Sequence, residues 1–361
     1  MDGEHRLIDE IQAALRSLVG VDQLISAGDT LPMAVAHERP DLIMRADIRG
    51  RSAIFLIEAK AYGYPRDMRA AADQLARYAA LARLEADEVP LVPLVVAPAI
   101  SPGGRAVLRE RGIGYWDRGG SLYLDLPWAH YDIERPPSQG AQRQHRSPYR
   151  GRAAQVVHAL LVEPERAWHV GELATCAAVS PYTAHQVLTM LERELWIDKE
   201  GRGPRAVRRL REPGALLDAW AAAHRLEEYA FRRFHAWAQS PAALAGHVTA
   251  ALDASGVEYA LTLTSGAALV APFAAEAGRL TVLVPAWADL ADVIRDVKLR
   301  PAEEGENVAF LATRERSPLL FRQRAHEAWV ASDVQLYRDL WAWPRRGREQ
   351  ATYLRAERLT F

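Results

Sequence analysis

The sequence predicts an α/β protein built from more than one domain, and three observations carry that expectation. At 361 residues the chain is longer than one ordinary core. Helical-period stripes alternate with short apolar runs of strand length. A stretch without apolar periodicity, RPPSQGAQRQHRSPYR, interrupts the alternation at residues 135–150 and reads as a basic linker. The chain is 49% hydrophobic and 25% charged, as expected for a globular protein.

The elements follow in order. Leu7, Ile11, Ala14, Leu15 and Leu18 form one stripe, which predicts a helix over 4–19. Strands are expected at Met33–Glu38, at Asp41–Arg49 and, after a turn at Gly50, at Ala53–Lys60. Pro65–Ala86 reads as an alanine-rich helix with Ala71, Leu75, Tyr78 and Ala82 on one face. VPLVPLVVAPAI is a nearly continuous apolar strand, and Ser101-Pro102 opens a helix stopped by Gly112. Two short strands, GIGYWD and SLYLDL, flank Arg118-Gly119-Gly120. Together residues 1–134 describe an α/β sandwich. Helices are then expected over Gly151–Val162, His169–Ala178 and Ser180–Glu194, with Ser180 as N-cap and Pro181 at the first position. A two-strand ribbon, WIDKEGRGPRAVRRL, comes next. That order is a winged helix-turn-helix, assigned to 151–238, with the chain reading as helical again from Glu212 to Trp237. Strand-like YALTLT, LTVLVPA and NVAFLA alternate with helical stretches over 239–361 and predict a small C-terminal α/β domain.

The formal net charge of −1 gives no global attraction to nucleic acid or membrane, so any basic surface is local. One cysteine, Cys176, excludes an intrachain disulfide and a cysteine-rich metal site. The acidic, amphipathic start is unlike a signal peptide, and no run has the length of a membrane span. A cytoplasmic protein without membrane contact is the expectation.

Residues 37–78 hold the densest chemistry. Asp41 follows a proline, Glu58 and Lys60 end the run AIFLIEAK, and Gln74 and Tyr78 lie four apart on a helix. Strand residues two apart share a face, with Cα atoms roughly 7 Å apart. Two carboxylates and an ammonium converging on one point can hold a hard divalent cation and an attacking water, which suits phosphodiester hydrolysis. His37 and Glu38 flank this group; an exposed acid–lysine pair is the bland reading of Glu58 and Lys60.

Basic residues concentrate next to the ribbon. Residues 142–211 contain 12 Lys/Arg against 7 Asp/Glu. Arg143, Arg146, Arg150 and Arg152 lie at the linker; Lys199, Arg202, Arg205, Arg208, Arg209 and Arg211 lie in the wing. This is the electrostatic footprint of a phosphate-contacting surface. The third helix offers Tyr182, Thr183, His185 and Gln186 to a major groove, while Val179, Ala184, Val187, Leu188 and Leu191 face inward. DNA is the expected partner; interdomain packing is the alternative use of such a module. Near the C-terminus, Trp329, Tyr337, Trp341 and Trp343 interleave with Arg338, Arg345, Arg346 and Arg348, as contact residues or as core.

The order Pro40-Asp41, Glu58-Ala59-Lys60 and Gln74-x-x-x-Tyr78 resembles the PD-(D/E)XK nuclease superfamily over roughly residues 4–125. The resemblance implies a restriction-endonuclease-like domain. It implies Mg2+ or Mn2+ held by Asp41, Glu58 and the Ala59 carbonyl, with Glu10, or alternatively Glu4, as an additional acid. Lys60 would orient the attacking water, and Gln74 and Tyr78 would support the site or the DNA backbone. LVVAPAISPGGRAVLRERGIGYWDRGGSLYL, RRLREPGALLDAWA, TLTSGAAL and SDVQLYRDLWAWPRRGREQATYLR resemble AbiEi-type antitoxins of type IV toxin–antitoxin systems. That second resemblance implies a non-cleaving transcriptional regulator and a cognate toxin or other defence protein as partner. Winged helices and the nuclease fold often act in pairs, so a homodimer is a further expectation. The nuclease-like constellation ahead of the winged helix departs from the antitoxin pattern.

Overall fold

The computed structural model describes residues 2–17, 21–26, 39–82, 89–135, 147–273, 279–344 and 346–361. The expected strand Met33–Glu38, with His37 and Glu38, and the linker arginines Arg143 and Arg146 lie outside the described residues.

The chain divides into two units, Met1–Arg146 with Arg193–Leu195, and Ser147–Glu192 with Trp196–Phe361. Among the described residues, the first unit is a mixed seven-stranded sheet in sequential order, β1 (Val21–Ser26), β2 (Leu42–Ile48), β3 (Arg51–Ala59), β4 (Leu91–Ala97), β5 (Gly114–Asp117), β6 (Leu122–Leu126) and β7 (Ala129–Ile133). β3–β4 and β4–β5 pair parallel and the others antiparallel. The expectation from residues 1–134 lacked β1 and β7.

β3 is apolar almost throughout because helices cover both faces. Phe55, Ile57 and Ala59 pack with Leu7, Ile11 and Leu15 of α1 (Asp2–Arg16). Leu56, one register step away, packs with Met68, Ala71, Leu75 and Tyr78 of α2 (Pro65–Ala82) and Leu108 of α3 (Pro102–Glu110). The period of two therefore assigns Glu58 to the α2 face. Pro65 opens α2, where its missing N–H costs nothing. Ser101 caps α3 by accepting from Gly104 N–H at 3.2 Å. The loop after β3 lies directly on this cap: Ser101 N–H donates to Gly63 O at 2.9 Å, and a Cβ on Gly63 would stand 2.2 Å from Ala99 O. Only glycine permits that approach.

In the second unit, helices Gly151–Val162, Val170–Cys176 and Pro181–Arg193 precede an antiparallel sheet ordered β8 (Ala167–Trp168), β10 (Val207–Leu210) and β9 (Ile197–Glu200). The chain is helical again at Pro213–Ala222, but the expected continuation to Trp237 is replaced by β11 (Ala230–His235). In AFRRFH Phe234 is buried, Phe231 is half-buried and both arginines are exposed, and the strand lies second from the sheet edge. β11 joins a second mixed seven-stranded sheet, ordered β14 (Arg300–Pro301), β11, β15 (Val308–Thr313), β13 (Leu280–Pro285), β12 (Ala260–Leu261), β17 (Ala328–Val330) and β16 (Gln323–Ala325). YALTLT supplies only the two residues of β12 before helix Leu263–Val270 begins. One apolar cluster runs from Ala154 to Leu354, so residues 151–238 and 239–361 share a core.

Within that core lies a buried polar network. Helix Asp333–Ala342 brings in Gln335, Arg338 and Asp339, each at most 2% exposed. Asp339 accepts from Tyr229 OH at 2.9 Å, Thr262 Oγ1 at 2.6 Å and Gln335 Nε2 at 2.7 Å. His224 places Nδ1 2.9 Å from Arg338 Nη2 and Nε2 3.1 Å from Asp339 Oδ1. Guanidinium is donor-only, so Nδ1 accepts from Arg338, while Nε2 faces the carboxylate without completing a hydrogen bond. Burial opposes ionisation of Asp339, but the nearby His224 and Arg338 and the hydrogen bond from Thr262 outweigh it and hold the carboxyl below its ordinary value. Arg338 and Tyr337 are thus core residues, with Arg338 lying 4.8 Å over the Trp220 ring.

A depressed carboxyl pKa contributes stability that is present above the unfolded-state pKa and lost as pH falls through the folded value. Asp339→Ala is expected to lower the unfolding free energy of the second unit by about 3–5 kcal/mol at pH 7, because Tyr229, Thr262 and Gln335 lose their acceptor and the buried Arg338 loses a neighbouring negative charge. The deficit should shrink as pH falls below the carboxylate range. Denaturant titrations of both proteins across pH measure it; a deficit under about 1 kcal/mol at pH 7 contradicts the assignment.

Candidate active site

The register of the β2–β3 pair sets the site. Leu42 pairs with Ile57, so Asp41, one step before β2, stands across from Glu58. Asp41 Oδ2 accepts the Ala59 N–H at 2.8 Å, tying the entrance of one strand to the exit of the other. Lys60 N–H donates to Val96 O at 2.8 Å, which extends the β3–β4 ladder one residue past β3 and fixes the backbone from which the ammonium departs.

Four side chains then join in sequence. Lys60 Nζ donates to Glu58 Oε1 at 2.7 Å and to Gln74 Oε1 at 3.0 Å. Gln74 Nε2 donates to Tyr78 OH at 2.6 Å. The contacts on both ends fix the orientation of the Gln74 amide, with its oxygen toward the ammonium. Two of the three Lys60 donors are engaged, which leaves one N–H. Tyr78 accepts from Gln74, so its own O–H remains to donate.

Electrostatics separates the two carboxylates. Asp41 is exposed, whereas Glu58 is 3% exposed. Burial pushes the Glu58 carboxyl up, the hydrogen bond from Lys60 pulls it down, and the Asp41 charge pushes it up again; the net direction is upward. Burial is also the main reason the Tyr78 hydroxyl is raised, with the Gln74 hydrogen bond opposing it.

Glu58 Oε2 is buried and has no hydrogen-bond partner among the described residues. An orphaned carboxylate oxygen costs free energy unless a cation or donor meets it. With the carboxylate of Asp41 across the strand pair, Glu58 is the residue that could offer an oxygen to a hard divalent cation. Among the described residues no group of three or more His, Cys, Asp or Glu surrounds one point. Two protein carboxylates are nonetheless the usual complement for Mg2+, which keeps several waters and takes substrate phosphate oxygens.

Glu10 forms an ion pair with Arg118 Nε at 2.6 Å. The Glu4 side chain lies outside the described residues.

The basic module sorts its residues by burial. Ser180 accepts from Thr183 N–H at 3.2 Å, and the Thr183 hydroxyl turns back to Ser180 Oγ at 3.0 Å. Tyr182, His185 and Gln186 are exposed, Tyr182 by 72%. Lys199, Arg202 and Arg205 are exposed and have no ion pair among the described residues. Arg208 departs from the expected phosphate-contacting role: it is 5% exposed and pairs with Glu192 Oε1 at 2.9 Å. Alternation along β10 turns it inward while Arg209 faces out, where it donates to Glu165 O at 2.7 Å. Charge counting along the ribbon could not separate them; the strand period could have.

Sequence reasoning also passed over Arg105, which donates to Asp117 Oδ2 at 2.9 Å and to Ser121 Oγ at 3.0 Å, anchoring α3 to the turn after β5. Set against known proteins, the chain matches no family model, no curated protein and no solved structure.

Proposed function

We propose that the N-terminal unit is a Mg2+- or Mn2+-dependent deoxyribonuclease of PD-(D/E)XK type, and that residues 151–210 act as a winged helix-turn-helix that holds the DNA. The observation that carries this reading is the orphaned, buried Glu58 Oε2 beside Asp41, in a hydrogen-bonded chain that ends at Tyr78. Asp41 and Glu58 would hold the cation, which when bound supplies Lewis-acid charge to the phosphoryl group and a more acidic water.

The remaining work falls to the chain's own side chains. The spare Lys60 N–H donates to a non-bridging phosphate oxygen or to the attacking water, and its charge offsets that developing on phosphorus. Gln74 and Glu58 hold the ammonium from two sides, so little reorganisation is needed during the reaction. Tyr78 fixes Gln74. In the hydrolysis a water oxygen bonds to phosphorus, one ester P–O bond breaks, the water releases a proton to solvent and the departing alkoxide regains one. Lys199, Arg202 and Arg205 contact phosphates, while Tyr182, His185 and Gln186 face the groove.

The rival reading is a non-cleaving regulator, with antitoxin action on a partner protein. The Glu58–Lys60 ion pair favours it to one degree, since the pair already neutralises the buried carboxylate within the chain.

Incubation of the intact chain with linear, supercoiled and branched DNA and Mn2+ tests the enzyme. Cleavage is expected, falling by about 10²–10³-fold in Lys60→Ala. Cutting no faster than that variant would end the nuclease reading.

The raised Glu58 pKa gives a second expectation. A carboxyl held above its unfolded value costs stability once ionised, so the cost grows as pH rises through the window starting near the ordinary carboxyl value. Glu58→Gln should therefore melt higher than the parent at pH 7–8 without added metal, with the two converging at low pH. A lower melting temperature at pH 7–8 contradicts the desolvation argument.

For the wing, Arg202→Ala with Arg205→Ala should weaken DNA binding for all sequences. The slope of log K against log salt should fall by about 2. Arg208→Ala should instead lower the melting temperature, because Glu192 loses its partner. An unchanged salt slope in the double variant removes the assigned role of the wing.

A further inference from the structure

We infer that the outer part of the second sheet, where β11 meets the edge strand β14, binds single-stranded DNA through residues that neither the proposed nuclease centre nor the wing uses. Residues two apart on a strand share a face, so Phe231, Arg233 and His235 stand on one side of β11 and Ala230, Arg232 and Phe234 on the other. His235 pairs with Arg300 of β14, and directly opposed residues share a face, so Arg300 joins the first set. Phe234 is buried in the core on the opposite side, while Arg233, His235 and Arg300 are exposed.

The alternation outlasts the strand. Ala236 is buried; its N–H donates to Asn307 Oδ1 at 3.0 Å and its carbonyl accepts from Asn307 Nδ2 at 2.7 Å. Trp237, the next residue, is 82% exposed, more than any other large hydrophobic side chain among the described residues. The two Asn307 bonds fix the backbone beside it, so the indole stands in water at a defined place. Large apolar side chains held in water and rimmed by polar groups mark a contact surface.

Charge selects the occupant. The strip Phe231, Arg233, His235 and Trp237 with Arg300 contains no carboxylate. Arg232 and Arg300 are exposed and have no ion pair among the described residues. Glu306 holds Arg279 at 2.6 Å and reaches Arg233 only at 3.9 Å, so one carboxylate serves two guanidinium groups. Residues 230–237 and 298–304 together hold Arg232, Arg233, Lys298 and Arg300 against Glu303 and Glu304. Rings and cations about 7 Å apart along the strand match the repeat of an extended polyanion whose bases are free to stack. A duplex hides its base faces and offers the indole no stacking partner. The His235 ring meets Gly305 O at 3.0 Å, and no carboxylate or amide side chain of the strip is placed to accept from a 2′-hydroxyl, which favours DNA over RNA.

Fluorescence anisotropy of a labelled oligothymidylate with the full chain tests the site. Arg202→Ala and Arg205→Ala are present throughout to silence the wing, and EDTA prevents cleavage. Saturable binding is expected, at least about tenfold tighter than that of a blunt duplex of the same length. Trp237→Ala should weaken it by about tenfold, whereas Trp237→Phe should retain most of it because a stacking face is kept. Arg233→Ala with Arg300→Ala should lower the slope of log K against log salt by about 1.4, at about 0.7 for each phosphate contact. All three side chains are exposed, so these variants should melt with the parent. No saturable binding up to about 1 mM, a duplex or an oligouridylate bound more tightly than the oligothymidylate, or affinity unchanged in Trp237→Ala overturns the inference.

Discussion

A single backbone-to-carboxylate hydrogen bond organises the N-terminal unit: Ala59 N–H donating to Asp41 Oδ2 at 2.8 Å. It closes the end of the β2–β3 pair where both strands leave regular pairing. With it in place, antiparallel register sets Asp41 across from Glu58, and the period of two sets Lys60 on the same face as Glu58. A slip of one residue would send Glu58 into the apolar layer under α1 and would send Ile57 toward Gln74. Register is protected against that slip by the fully buried Phe55, Leu56 and Ile57, whose two faces meet different helices. Each such side chain contributes about 1.5–3 kcal/mol. The core thus carries the cost of holding a buried carboxylate whose second oxygen has no partner.

The two units handle buried charge in opposite ways. Asp339 receives donors from Tyr229, Thr262 and Gln335 and sits beside Arg338, so its carboxyl is held low. Glu58 has one donor on one oxygen, and its carboxyl is raised. Several donors converging on one buried carboxylate stabilise it and rigidify the core around it. An unsatisfied carboxylate in a site is stored affinity for a ligand. That contrast fits a structural role for the RD pair of LYRDLW, buried in the core of the second unit.

The legible parts of the sequence were those governed by local period. The spacing of Glu58 and Lys60 on a strand, and of Gln74 and Tyr78 on a helix, follows from 2 and 3.6 residues per turn of each element. Burial of Glu58 was not legible, because it depends on α2 covering the sheet. Arg208 looked like its wing neighbours until the sheet turned it toward Glu192. Arg338 among the aromatic residues of the C-terminus looked like a surface cation. Its partner His224 lies more than 100 residues away, and no local pattern announces that pairing. β11 was masked for a related reason: EEYAFRRFH has helix-forming composition at its start, and pairing with β15 and β14 overrides it.

The central claim is that Asp41 and Glu58 form a single cation site, and Mn2+ titration followed by electron paramagnetic resonance addresses it without relying on cleavage. The intact chain should bind one Mn2+ per molecule at neutral pH, displaced by excess Mg2+. Asp41→Asn and Glu58→Gln should each abolish that binding, and Lys60→Ala should retain it. Mn2+ binding that survives both carboxylate substitutions, or that is absent in the parent protein, would contradict the account.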